Sequence, residues 1–269
     1  MKLKFLFRPW LLILVSGILL FFFTQQAFIL TENPNYLPTL VVLGSFVVPV
    51  ALVTYFYDHV KHREISMPLL STCFIVGGVL GSIAAGVLEF NALLDLSIAG
   101  LFGVGLIEEA AKLIFPVVVY IGWRYRHEAD GLLFGIAAGM GFAALETMGY
   151  ALVTLMESLG DIGLVQEVLL TRGLMSPAGH AAWTGFFCAV LWREREKKGR
   201  VVINRAVLGA FLVTVLLHAL WNVTTGIMGT SFIESVISIG GGTVIVLISL
   251  TLLMNRYEEA KKALNNKVP

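Results

Sequence analysis

Six ionisable side chains and one amide stand well inside apolar runs of this sequence: Glu108, Glu109, Lys112, Glu146, His180, His218 and Asn222. Three carboxylates and two imidazoles in a low-dielectric cavity suit acid–base chemistry. A Glu held there can take a proton from water and return it to a leaving amine. His218 and Asn222 are i and i+4, so on a helix they share a face and can donate to one developing oxyanion. His180 can do the same or hold a water. The set suits amide hydrolysis without a covalent nucleophile. The runner-up chemistry is zinc, held by His180, His218 and a Glu with the fourth position open. Against it, no His-Glu-x-x-His pair is present and each His falls on a different helix.

Cost argues that these groups meet each other. Glu108, Glu109 and Lys112 sit within five residues of a run long enough to span a bilayer, roughly 96–122. Each charge near the bilayer centre costs about 2.5–3.5 kcal/mol on insertion scales. Lys112 is i+4 from Glu108 and i+3 from Glu109, so it reaches either carboxylate along one helix face. The bland alternative is a structural ion pair that locks neighbouring helices. The sequence leaves open which of the adjacent Glu residues is the base. They project about 100° apart on a helix of 3.6 residues per turn.

The elements that must position them are membrane helices. The chain has 269 residues, of which 57% are hydrophobic and 14% charged, and its mean hydropathy is +0.85. A soluble domain carries about 25% charged residues. The expected fold is an all-α, polytopic transmembrane helical bundle of about eight spans, at 9–30, 37–57, 67–88, 96–122, 131–156, 173–192, 206–228 and 235–254. It reads as a single integral-membrane domain over 1–269, with a motif-bearing core at 96–228 and a basic cytoplasmic tail at 255–269. With the N-terminus in the cytoplasm, every Lys and Arg lands inside except Lys112, within the membrane, and Arg172. That is the positive-inside pattern, and it puts both termini in the cytoplasm. The first apolar run is long for a signal peptide and lacks a clear cleavage site, so it reads as a retained span.

Smaller signals fill in the picture. Pro49 marks a kink in the second span. Gly131, Gly135 and Gly139 recur every four residues and make a smooth packing stripe, and Gly77, Gly78 and Gly81 allow another close helix approach. Cys73 and Cys188 read as small buried hydrophobes. His59, His62 and His127 read as solvated loop residues, and Trp183 and Trp221 as packing or interface residues. Net charge is +1, so no nucleic-acid partner is expected.

The motifs Glu108-Glu109-x-x-Lys112, Phe142-Ala143-Ala144-Leu145-Glu146, Gly179-His180 and His218-Ala219-Leu220-Trp221-Asn222 resemble those of the PrsW-type intramembrane proteases. That family is related to the CAAX-processing and bacteriocin-processing membrane proteases. The resemblance covers roughly 105–222. It implies a multi-pass protease of the bacterial cell membrane that makes the site-1 cut in a membrane-anchored anti-sigma factor under envelope stress, and the depth of the polar residues in their spans puts the cut near the outer face. It also implies that Glu108 or Glu109 is the base and that His218 with Asn222 forms the oxyanion site. Glu146 and His180 complete the cavity, and Lys112 supports the carboxylates. Two positions depart from the wider pattern: the cation is Lys112 rather than an Arg one residue later, and Ser176 stands where Phe is favoured. No cofactor is fixed by the motifs, zinc being the candidate. The other classes are a proton-coupled transporter, against which no internal repeat is seen, and a non-catalytic membrane scaffold.

Overall fold

The structure is a computed structural model that describes residues 8–61, 63–92, 98–122, 124–226 and 231–266. The charged start of the chain (1–7), His62 and Trp123 lie outside the described residues. The described chain is all-helical: α1 (Pro9–Thr31), α2 (Leu37–His59), α3 (Met67–Ala92), α4 (Ile98–Lys112), α5 (Ile114–Ile121), α6 (Glu128–Glu157), α7 (Ile162–Met175), α8 (Ala182–Lys198), α9 (Arg205–Gly226) and α10 (Phe232–Asn265).

Among the described residues, six helices are long and apolar enough to cross a membrane: Pro9–Thr31, Pro34–His59, Met67–Ala92, Glu128–Glu157, Arg205–Gly226 and Ile233–Asn265. The expected spans at 96–122 and 173–192 are not among them: the first is broken into two helices, and the second is interrupted after Met175 and runs on into the charged end of α8. Proline breaks both. Pro116 has no N–H to offer the carbonyl of Lys112, and its ring crowds that carbonyl. The helix therefore tightens at Leu113, whose N–H turns to Ala110, and α4 ends on Lys112. Pro177 stands at the other break. α7 stops at Met175, and a π-helical turn, Pro177–Ala181, precedes α8. Pro49, by contrast, lies buried inside α2 without ending it.

The chain divides into two compact units, Met1–His59 with Ala143–Pro177, and Val60–Phe142 with Ala178–Pro269. In the first, α1 and α2 form a hairpin around a turn at Glu32, whose positive φ closes α1. Gly17 lets α2 approach closely, since a Cβ there would meet Val47. Phe21, Leu40, Val41, Ala151, Val165 and Leu169 form its buried core. In the second unit, the glycine stripe of α6 finds its partner. A Cβ on Gly131, Gly135 or Gly139 would collide with the carbonyl oxygens of Cys188, Thr184 and His180 in turn. The stripe thus seats α6 on the backbone of α8 and the π turn before it. Gly105 does the same for α4 on α9, where a Cβ would crowd Val215, His218 and Ala219. Cys73 and Cys188 are buried free thiols.

Candidate active site

Two of these close approaches set the site in the second unit. Gly105 lies one turn before Glu109, so the contact it permits brings Glu109 to His218. Gly139 and Gly135 hold the stretch that carries His180 and Thr184. His180 sits in the π turn, an irregularity frequent at functional sites. Lys112 is the last residue of α4, where a cation also meets the negative end of the helix dipole.

Glu109 and Lys112 are buried to 1% and 0% exposure. Lys112 Nζ donates to Glu109 Oε1 at 2.6 Å and to Glu108 Oε2 at 3.1 Å, as the i+3 and i+4 spacing requires. It also lies over the Phe142 ring, 4.4 Å from its centre. Glu109 takes two further bonds. Thr184 Oγ1 donates to its Oε2 at 3.2 Å, and His218 Nδ1 lies 2.9 Å from its Oε1. A carboxylate accepts, so Nδ1 carries the proton and Nε2 is left to accept or to ligate when the ring is neutral. That Nε2 stands 3.7 Å from Glu108 Oε2. Glu108 and His180 also present ligand atoms within 4.8 Å of each other, and the two imidazole centres are 5.8 Å apart. Phe142 stacks on His180 at 5.8 Å.

The two adjacent glutamates therefore differ. Glu109 holds three donors from three elements. Glu108 takes one hydrogen bond, from Lys112, among the described residues, and faces both imidazoles. Asn222 lies half-buried one turn beyond His218 on α9. Glu146 belongs to the first unit, where its Oε2 lies 2.7 Å from Arg172 Nη2 of α7. Arg172 also donates to Thr147 and lies over the Tyr150 ring, 4.1 Å from its centre. Arg172 thus has an acidic partner. Ser176, also of that unit, donates its hydroxyl to the Arg172 carbonyl at 2.6 Å.

Sequence reasoning missed Thr184 and Ser249, and its reading of Trp183 as a packing residue is borne out by the cluster with Leu217 and Ile245. Trp183 stacks on His218, with ring centres 4.7 Å apart, and donates to Ser249 Oγ at 2.8 Å. A hydroxyl four residues after His180, on the next turn, was the available signal for Thr184. Nothing local marks Ser249.

Glu108 and His180 present ligand atoms within 4.8 Å of each other and His218 Nε2 stands 3.7 Å from Glu108, so two imidazoles and a carboxylate supply the donor types that a divalent metal such as zinc takes. Glu109 gripping the far nitrogen of His218 is the outer support such ligands use.

A family model described as PrsW family intramembrane metalloprotease matches residues 66–254. No curated protein and no solved structure matches the chain. The matched stretch runs from the start of α3 to within α10 and takes in every residue of the cluster around Glu109. With its apolar helices, this makes the chain a multi-pass membrane protein that belongs to the PrsW family of intramembrane metalloproteases.

Proposed function

We propose that the chain hydrolyses a peptide bond of a membrane-anchored, single-span protein near the outer face of the bacterial cell membrane, with both of its own termini in the cytoplasm. The substrate class is the anti-sigma factors and the reaction their site-1 cleavage, on the strength of the motif resemblance. The whole chain acts as one protease domain.

The observation that carries the mechanism is the unequal engagement of the two glutamates. Glu109 is saturated by Lys112, His218 and Thr184, so it holds. Glu108 keeps acceptor capacity towards the imidazoles, so it works. Glu108 is the group at the attacking water, taking its proton and returning it to the leaving amine. Asn222 donates to the oxyanion, and His218 on the same helix face, oriented through Nδ1, does so from Nε2 when that nitrogen also carries a proton. Lys112 balances the charge of the paired carboxylates. Glu146 and His180 complete the cavity by their motifs. His180, His218 and Glu108 would hold the family's metal, which would supply Lewis acidity. In that form Asn222 carries the oxyanion and Glu109 keeps His218 in its ligating tautomer.

The test uses purified protein in proteoliposomes with a tagged single-span substrate. Two fragments are expected from the wild type and none from His218→Ala. Intact substrate together with a proton-linked flux would instead make the protein a transporter. Loss of cleavage on chelation, with recovery on adding zinc back, assigns the metal form. Cleavage unaffected by chelators assigns the bare carboxylate form.

A further inference from the structure

Trp183 opens α8 and is buried to 2% exposure. Its indole lies nearly parallel to the His218 imidazole, with 24° between the planes and 4.7 Å between centres. Its own plane is fixed on several sides. A Cβ at Gly179 would stand 3.3 Å from the indole's six-membered ring, so the π turn lies flat against it. Leu217 and Ile245 pack with it in one buried cluster. Its Nε1–H donates to Ser249 Oγ at 2.8 Å.

Packing alone does not call for this arrangement. A buried indole N–H costs free energy unless it finds an acceptor, and Phe or Leu would fill the space without that demand. The hydrogen bond adds what packing lacks, a fixed rotation of the ring. Ser249 is itself buried, to 1%, on a helix that carries none of the motifs. His218 is thereby held at two places. Glu109 fixes its Nδ1 edge, and Trp183 fixes its plane. Together they set the line along which Nε2 points, towards Glu108.

We propose that Ser249 and Trp183 are positioning residues for His218, the Ser249 hydroxyl locking the indole that sets the plane of the imidazole. This rests on the reading of His218 as a working residue of the site.

The test measures kcat, KM and thermal stability in proteoliposomes with the single-span substrate, for wild type, Ser249→Ala, Ser249→Thr, Trp183→Phe, the Ser249→Ala/Trp183→Phe double variant and His218→Ala. Losing an outer support of this kind costs about 10–100-fold in activity. Ser249→Ala is expected to lower kcat at least about tenfold with KM and Tm close to wild type. Ser249→Thr, which keeps the hydroxyl, is expected to recover kcat. The double variant should be no worse than Trp183→Phe, because both changes break one chain of support. Wild-type kcat in Ser249→Ala, or losses that multiply in the double variant, would overturn the proposal. An active His218→Ala would overturn the reading of the site itself. An inactive His218→Ala beside a fully active Ser249→Ala would overturn this inference alone.

Discussion

The second unit buries two cations, Lys112 and Arg195, to 0% and 1% exposure, and surrounds them differently. Arg195 of α8 donates to the main-chain carbonyls of Tyr120 and Tyr125. It lies over the Tyr120 and Trp192 rings at 4.6 and 5.1 Å, and Trp192 Nε1 donates to the same Tyr125 carbonyl at 2.9 Å. Tyr120 is in the last turn of α5, where carbonyls lack helical partners, so Arg195 closes a helix end with its fork of donors. None of those acceptors titrates. Lys112 is instead held by two carboxylates, one of which grips an imidazole. Burial of a charge is thus no sign of chemistry by itself. The sign is a partner that can gain or lose a proton.

That contrast can be broken by replacing each cation with an apolar chain of similar length. Removing one member of a buried charge group costs about 3–5 kcal/mol. Lys112→Met should lose about that much stability in denaturant titrations of the purified protein, and the molecules that stay folded should not cleave substrate. Arg195→Met takes the side-chain donor from the Tyr120 carbonyl, at about 1–3 kcal/mol, while the Tyr125 carbonyl keeps Trp192, and its folded molecules should cleave at the wild-type rate. Loss of activity in folded Arg195→Met would erase the distinction.

Gly139→Ala sharpens the comparison from the backbone side. Its Cβ must displace the His180 carbonyl, at about 1–3 kcal/mol for an overpacked contact. A fall in kcat with little change in KM is expected, whereas Gly209→Ala, inside α9 with open space around it, should leave the rate unchanged and raise stability by up to about 1 kcal/mol.

The smallest effect lies next to Arg195. Asn204 Nδ2 donates to Glu194 Oε2 at 2.9 Å, and this bond holds the Glu194 carboxyl below its ordinary range. A lowered folded pKa stabilises above the unfolded value and loses that contribution as pH falls through the folded one. Asn204→Ser, which keeps an oxygen for the Ala206 and Val207 N–H groups that Asn204 Oδ1 caps, should therefore cost under about 1 kcal/mol at pH 7. The cost should shrink on acidification through the carboxylate range, with no change in cleavage.

Much of the site could be read from the sequence because its spacing obeys helix geometry. Glu108, Glu109 and Lys112 meet as their i+3 and i+4 separations require, and the Gly131–Gly135–Gly139 stripe packs as four-residue periodicity implies. The breaks at Lys112 and after Met175 were obscured by the even hydropathy of 96–122 and 173–192, although Pro116 and Pro177 were there to be weighed. Arg195 was hidden for another reason. It stands in a basic stretch, 193–205, that reads as a solvated loop, and its carbonyl partners lie some seventy residues earlier, in backbone atoms that no residue type announces. Ser249 was equally silent, a single hydroxyl in an apolar helix whose meaning depends on Trp183.

Most of the chemistry proposed here depends on Glu108 being the carboxylate that meets water while Glu109 only holds. The direct measurement is the cleavage rate of the single-span substrate by Glu108→Gln in proteoliposomes, with unfolding followed on the same preparation. The expected result is a rate at least about a hundredfold below wild type with unfolding unchanged. A Glu108→Gln protein that cleaves at the wild-type rate would contradict it.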